Sequence, residues 1–296
     1  IGHKFVLKKV VELADKKKFT STVLTFFPHP RMVLQQDSSI KLLNTIEEKE
    51  ILLSQIGIDN LIIHPFDLDF SRLSAEDFVK GVLIDKLNVG VIIIGHDHRF
   101  GRNRTADIND LIEFGKEYDF EVQEISAKEI DDIAISSTKI RTALSEGNIS
   151  KANKYLGYNY FLSGKVVHGR QVGRTIGFPT ANVEVFENYK LIPKNGVYIV
   201  SSTINKNNYF GMMNIGINPT VDGLEQKIEV HFFDFNKDLY NQEIKIEIHS
   251  RIRNEKKYNS LDDLKNQLKN DEIISRAFMK NNLWKTSYTN QLTILL

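Results

Sequence analysis

Gly177-Phe178-Pro179-Thr180-Ala181-Asn182 follows a run that already carries glycines at 164, 169 and 173. Glycine lets backbone N–H groups come close to an anion and form a concave nest, and Thr180 and Asn182 supply neutral oxygens of the kind Mg²⁺ accepts. Lys165, His168, Arg170 and Arg174 lie among the glycines, where a triphosphate would want cations. A hairpin with a solvated basic tip explains the same composition, so the bare stretch leaves a nucleotide site and a plain turn level.

On either side of this stretch the chain has two textures. Upstream, Thr22 to Phe27, Asn60 to Ile63 and Val91 to Ile94 are short, continuous, β-branched runs, as expected of strands covered on both faces. Amphipathic segments lie between them. Ser74-Ala75-Glu76-Asp77 spells a capping box, after which Phe78, Val82 and Leu83 recur on one helical face. Alternating strand and helix imply a parallel sheet with ligands outside the carboxyl ends of its strands. A helical stretch ends near Leu156-Gly157. Beyond it, Val197 to Val200, Lys227 to Phe232 and Glu243 to Ile248 alternate with period two between Asn, Gly and Asp turns, which reads as a small antiparallel barrel. Ser260-Leu261-Asp262-Asp263 opens a closing helix with Leu261, Leu264 and Leu268 as its packing stripe. The fold class is α/β followed by all-β.

A chain of 296 residues suggests two domains, each with its own core. With 39 Lys and Arg against 38 Asp and Glu the net charge is +1, so no broad basic surface is implied, nucleic acid is a poor partner and any anion site must be local. The absence of cysteine excludes thiolate catalysis, Cys-ligated zinc and disulfides, and suits a reducing cytoplasm. No apolar run approaches the roughly 18 residues of a membrane helix, and no signal peptide is visible; a cytoplasmic protein without a membrane partner is expected.

The glycine-rich loop and its Pro-Thr-Ala-Asn box resemble the riboflavin kinase signature that holds Mg-ATP. Gly196-Val197-Tyr198, Met213 to Thr220, Glu229-Val230-His231 and Arg251 to Tyr258 follow in that family's order. Upstream, Pro28-His29-Pro30, Gly95 to Gly101 and Ile135 to Arg141 resemble the FMN adenylyltransferase half of the bacterial bifunctional riboflavin kinase/FAD synthetase. The resemblance implies a Rossmann-like nucleotidyltransferase domain over residues 1–155 and a β-barrel riboflavin kinase over 156–280. Residues 281–296 stay unassigned. It implies riboflavin, FMN, FAD and ATP as small-molecule partners and Mg²⁺ as cofactor.

For the kinase, the resemblance assigns Gly164, Lys165, His168, Gly169, Gly173, Arg174, Thr180 and Asn182 to ATP, the last two also to Mg²⁺. It places Arg253, Glu255 and Tyr258 in a segment that closes on the flavin. Glu229 shares a strand face with His231 and Phe233, where a carboxylate needs a reason; period two alone reads it as solvent-facing, and the family position makes it the general base.

For adenylyl transfer, no enzyme nucleophile is required. Ser137 and Thr138 start the helical pattern Lys139 to Glu146, so their hydroxyls and the first free N–H groups can meet phosphate, with Arg141 one turn on; a plain N-cap is by itself the commoner explanation of Ser-Ser-Thr before a helix, and the three signals together raise the phosphate reading above it. Gly2 and His3 resemble the end of the His-x-Gly-His box, whose second histidine stabilises charge on the phosphates. Pro28, His29, Asp97, Arg99, Phe100 and Gly101 complete the nucleotide and FMN set. The spacings of His29, His96 and His98 fit no standard zinc pattern. The family's first strand and first box histidine precede Ile1, so a molecule that truly started at Ile1 would be expected to make little FAD.

Overall fold

In the computed structural model, residues 2–36, 39–95, 98–125, 136–169, 172–220 and 223–289 are described. Asp97 and the side chain of His3, both assigned to adenylyl transfer, lie outside the described set. The chain forms two compact units, residues 1–135 and 136–296.

The first unit runs α1 (Gly2–Lys17), β1 (Thr22–Phe27), α2 (Pro30–Leu34), α3 (Ile46–Ser54), β2 (Asn60–Pro65), α4 (Ala75–Phe78), β3 (Val91–Gly95), α5 (Ile108–Tyr118) and β4 (Glu121–Ile125). β1 pairs with β2 in parallel, Thr22 opposite Asn60, and β3 with β4, Val91 opposite Glu121. Parallel neighbours need a crossover, and helices supply both. Their common core holds Val79, Leu83, Ile94, Phe100, Leu111 and Phe120, with Leu24 packed against it.

One expectation needs correction here. β1 is half-buried along its whole length and Ile63 is 45% exposed, so these strands are not covered on both faces. The helix opened by Ser74, whose hydroxyl accepts from Asp77 N, runs on from α4 as a π-helix over Val79–Ile84. Val79, Val82 and Leu83 are buried, and Phe78 packs, partly buried, against the core cluster that holds Val79 and Leu83.

The second unit comprises α6 (Ser137–Glu146), α7 (Ile149–Leu156), β5 (Phe161–Val167), the short α8 (Val172–Thr175), β6 (Ala181–Val185), β7 (Gly196–Ile204), β8 (Asn207–Thr220), β9 (Gly223–Phe232), β10 (Glu243–Arg253) and α9 (Leu261–Thr289). The strands close a barrel in the order β10-β5-β6-β9-β8-β7. Period two puts Leu162, Val166, Tyr198, Val200, Met213, Ile215, Val230, Ile246 and Ile248 on one face, and that face is wholly buried. Each such side chain stabilises the barrel by about 1.5–3 kcal/mol. On the opposite face Val197, Met212 and Phe233 pack with Ile176 and Phe178, and Leu264, Leu268 and Met279 of α9 close over them. Leu261 does not join this stripe. In the helix's first turn it is 58% exposed, short of the cluster.

Helices α6 and α7, which sequence reading gives to the first domain, are compact with the barrel. Asn153 shows why: its Nδ2 donates to the Ile248 carbonyl at 2.8 Å and its Oδ1 accepts from Tyr160 N at 2.8 Å.

Candidate functional site

The glycine-rich loop joins β5 to β6, whose ladder sets Val167 opposite Asn182 and Gly164 opposite Val185. The loop folds back on itself where Phe178 N donates to the Gly173 carbonyl at 2.8 Å. A Cβ at Gly169 would collide with the Asn182 carboxamide, so only glycine lets that side chain in. His231 pins the box to β9: its Nδ1 donates to the Pro179 carbonyl at 2.7 Å, which fixes the imidazole tautomer.

One ladder row then assembles the polar centre. Glu229 on β9 stands opposite Asn182 on β6 and opposite Asn214 on β8. Registered partners in an antiparallel sheet project to the same face. This is the face that carries Met212, His231 and Phe233, so Glu229 is half-buried beside the cluster under α9. Burial pushes its carboxyl pKa up, and the neighbouring Lys227 pulls part of that back. Glu255 reaches the same place, because the absent side chain of Gly216 leaves room for its Oε1 beside Asn214 Nδ2. Asn182, Asn214, Glu229 and Glu255 thus converge, from four parts of the sequence.

Other assigned residues lie around this centre. Thr180, within the box, is half-buried, and Arg174 is exposed on α8. Lys165 is exposed and stands in register between Glu184 and Glu243. His168 is exposed and stacks on Tyr240, ring centroids 3.9 Å apart. Arg253 forms a bidentate pair with Asp271 of α9, Nε to Oδ1 at 3.1 Å and Nη2 to Oδ2 at 2.7 Å, and its guanidinium lies 5.9 Å from the Tyr258 ring. Tyr258 Oη is buried without a hydrogen-bond partner among the described residues. An open cavity of about 410 Å³ lies between this segment and α9, lined by Lys256, Tyr258, Asn266, Gln267 and Asn270.

Sequence reasoning missed Asn214, Tyr240 and Asp271 as site residues. Asp271 was legible in principle. Leu264, Leu268, Asp271 and Ser275 follow at spacings of 4, 3 and 4, the rhythm of a packed helix face, and an acid on such a face needs a cation.

In the first unit, Pro28 and His29 follow β1, and His29 caps α2 by accepting from Arg31 N at 3.2 Å. Next to them Phe26, Phe66 and Phe70 form an aromatic cluster, Phe26 to Phe70 at 5.4 Å, with the His64 ring 4.4 Å from that of Phe70 and tilted by 34°. Phe100 is 9% exposed and belongs to the core, 6.2 Å from Phe78. Arg99 is exposed, and Gly101 has φ +72° against Ala75. On α6 the capping hydroxyl is that of Ser136, accepting from Lys139 N at 3.3 Å. Ser137 and Thr138 are therefore the first helical residues, with their N–H groups at the positive helix end, and Arg141 follows one turn on.

The FAD synthetase family matches residues 1–139 and the riboflavin kinase family residues 156–279. The bifunctional riboflavin kinase/FMN adenylyltransferase of Buchnera aphidicola subsp. Schizaphis graminum is 39% identical over 283 residues, 94% of this chain and 90% of its own length. That of Listeria monocytogenes is 38% identical over 280 residues, 94% of this chain and 88% of its own. A crystal structure of a Streptococcus pneumoniae protein described as a macrolide-efflux protein superposes with a TM-score of 0.82 at 34% identity, covering 93% of this chain and 89% of that one. Among the described residues, no helix is long and apolar enough to cross a membrane. The chain belongs to the bifunctional riboflavin kinase/FMN adenylyltransferase family, transferases that make FMN from riboflavin and FAD from FMN.

Proposed function

We propose that riboflavin is phosphorylated in the barrel unit with Glu229 as general base. The single observation that carries this is the row Asn182, Glu229, Asn214: a half-buried carboxylate with a raised pKa, set beside the carboxamide of the glycine-loop box. Glu229 takes the proton of the riboflavin 5′-hydroxyl as that oxygen bonds to the γ-phosphorus of ATP. The bond from the γ-phosphorus to the bridging oxygen breaks, and ADP leaves. A base whose pKa is lifted towards the working pH accepts that proton more readily than an ordinary glutamate.

Thr180 Oγ1 and Asn182 Oδ1 are hard, neutral oxygens, and the carboxamide sits in the cradle that Gly169 leaves open. That donor set fits Mg²⁺, which keeps several waters and takes few protein ligands. Bound there, the ion would neutralise charge on the phosphates. Positioning of the hydroxyl falls to the segment with Arg253, Glu255 and Tyr258, and the partnerless Tyr258 Oη supports a polar ligand there.

Adenylyl transfer belongs to residues 1–155 in this reading, and the kinase to 156–280. An FMN phosphate oxygen bonds to the α-phosphorus of ATP and pyrophosphate leaves. Ser137, Thr138 and Arg141 hold phosphate at the start of α6; His3, Pro28, His29, Asp97, Arg99 and Gly101 are the nucleotide and FMN residues of the first unit, where the aromatic cluster near Pro28 supports a flat ring as ligand. The cytoplasm is the compartment of both reactions. Incubation with riboflavin and Mg-ATP tests the reading chromatographically: FMN must appear first and FAD after it. Absence of FMN would remove the kinase assignment, and FMN without FAD the other.

A further inference from the structure

We propose that Arg251 is a positioning residue that couples the flavin-closing segment 253–258 to helix α6, so that flavin bound at the kinase site changes the helix that carries Ser137, Thr138 and Arg141. The inference rests on the reading of those two sites given above.

Arg251 lies on β10 opposite Tyr198, and the ladder shifts register between Arg251 and Arg253. Such a bulge re-aims the side chains around it. One guanidinium nitrogen of Arg251 donates to the Asn195 carbonyl at 2.6 Å and to Asn254 Oδ1 at 2.8 Å. It thereby ties the first residue after Arg253 to the turn before β7. That turn is bonded in turn to α6: Lys194 N donates to the Leu144 carbonyl at 3.1 Å. Tyr198 Oη donates to the Lys194 carbonyl, and Gln226 Nε2 to Asn195 Oδ1 at 3.0 Å, so the turn moves as a piece.

The arginine stem completes the link directly. A Cβ at Gly147, which caps α6 with φ +80°, would lie 2.7 Å from Arg251 Cδ. A Cβ at Gly196, with φ +151°, would lie 2.7 Å from its Nη2. Arg251 fills the space both glycines leave, and cannot shift without pressing on one of them. Its Nε is buried without a hydrogen-bond partner among the described residues, a cost the fold bears to keep the arginine here.

The family boundaries make the link consequential. The FAD synthetase match ends at residue 139, inside α6, whereas the whole helix is compact with the barrel. Sequence gives the start of α6 to one activity, and packing ties its end to the other. A helix of this length spans about 15 Å, and its rigid ladder carries a tilt imposed at Gly147 to Ser137. Coupling of this kind is reciprocal, so ligation at the helix start must also act on the flavin segment.

Amide hydrogen exchange on the intact chain, with and without riboflavin plus Mg-ADP, tests this. In the wild-type protein, ligand should slow exchange at 253–258, reporting binding, and slow it at least about 5-fold at 143–148, the low end of common coupling factors. Arg251→Met keeps the stem but removes the donors. It should retain ligand protection at 253–258 and lose it at 143–148, an outcome that a merely structural role would not produce. Wild-type protection at 253–258 alone overturns the coupling and leaves the kinase site standing. Equal transmission in Arg251→Met also overturns it, including transmission by riboflavin bound elsewhere. No protection at 253–258 in wild type removes the flavin assignment and the coupling with it.

Discussion

Asn182 and Glu229 are direct cross-strand partners on β6 and β9, although 47 positions separate them in the chain. The pairing sets the proposed proton acceptor beside the box that resembles an ATP and Mg²⁺ site, at the contact distance of opposed strand residues, about 4.5–5.5 Å between Cβ atoms. Glu229→Gln keeps the shape and removes the acceptor. Riboflavin phosphorylation should fall by about 10²- to 10⁴-fold while adenylylation of supplied FMN continues. Near wild-type FMN formation in a steady-state assay would rule Glu229 out as the base.

The same carboxyl gives a pH signature. Its pKa is raised on folding, chiefly by burial. The folded state therefore binds the proton more tightly than the unfolded chain, and this contribution is present below the unfolded pKa and lost as pH rises through the folded one. Above that window an ionised Glu229 weighs against the fold. Glu229→Gln should then unfold at a higher urea midpoint than wild type at pH 8, with the difference shrinking at pH 4. The acid limb of the kinase pH–rate profile should lie above the range of an ordinary glutamate. A Gln variant less stable than wild type at pH 8 would contradict the desolvated carboxylate.

Two nucleotide sites imply two separable losses. Thr180→Ala or Asn182→Ala should impair riboflavin phosphorylation and leave adenylylation of supplied FMN within a few-fold, since Thr180 and Asn182 serve the kinase's own nucleotide site and contribute nothing to the link through Arg251. Parallel loss of both activities in the paired assays would mean one shared nucleotide site.

How much of this was legible in the sequence differs by element. The barrel strands opened by Lys227 and Glu243 were readable because polar and apolar residues alternate along them as the pleat requires, whereas Val197 to Val200 is apolar throughout and buried on both faces. The row through Asn182, Glu229 and Asn214 was not. Register is a property of two strands together, and no single-strand pattern contains it. The allegiance of α6 was hidden for a related reason: Ile140, Ala143 and Leu144 announce a packing face without naming what it packs against. The π winding after Phe78 was not legible, because Val79, Val82 and Leu83 keep the i, i+3, i+4 spacing that an ordinary α-helix also satisfies.

The phosphate clamp at the start of α6 carries its own test. Arg141 is half-buried one turn inside the helix, behind Ser137 and Thr138. Arg141→Ala removes a charged donor from a site where charge develops, commonly worth about 10²- to 10³-fold in rate. FAD formation from FMN should drop by that factor with FMN formation from riboflavin unchanged. Unaltered FAD formation would leave Ser137 and Thr138 as ordinary first-turn residues.

Asp271 offers the sharpest separation of stability from chemistry. Its carboxylate is fully buried, accepts both Arg253 nitrogens and Gln267 Nε2 at 2.9 Å, and is the anchor that holds the flavin segment against α9. Replacing such a pair whole by apolar residues is often neutral, whereas removing one partner strands the other charge and costs about 3–5 kcal/mol. Asp271→Ala should therefore lower the unfolding midpoint of the barrel unit strongly, and in protein kept folded by low temperature the KM for riboflavin should rise with kcat changed little, since Glu229 and its row are untouched. Asp271→Ala combined with Arg253→Met should recover much of the stability, because no orphan charge remains, yet keep the high KM. A double variant that recovered riboflavin affinity as well would show that Arg253 serves only the fold.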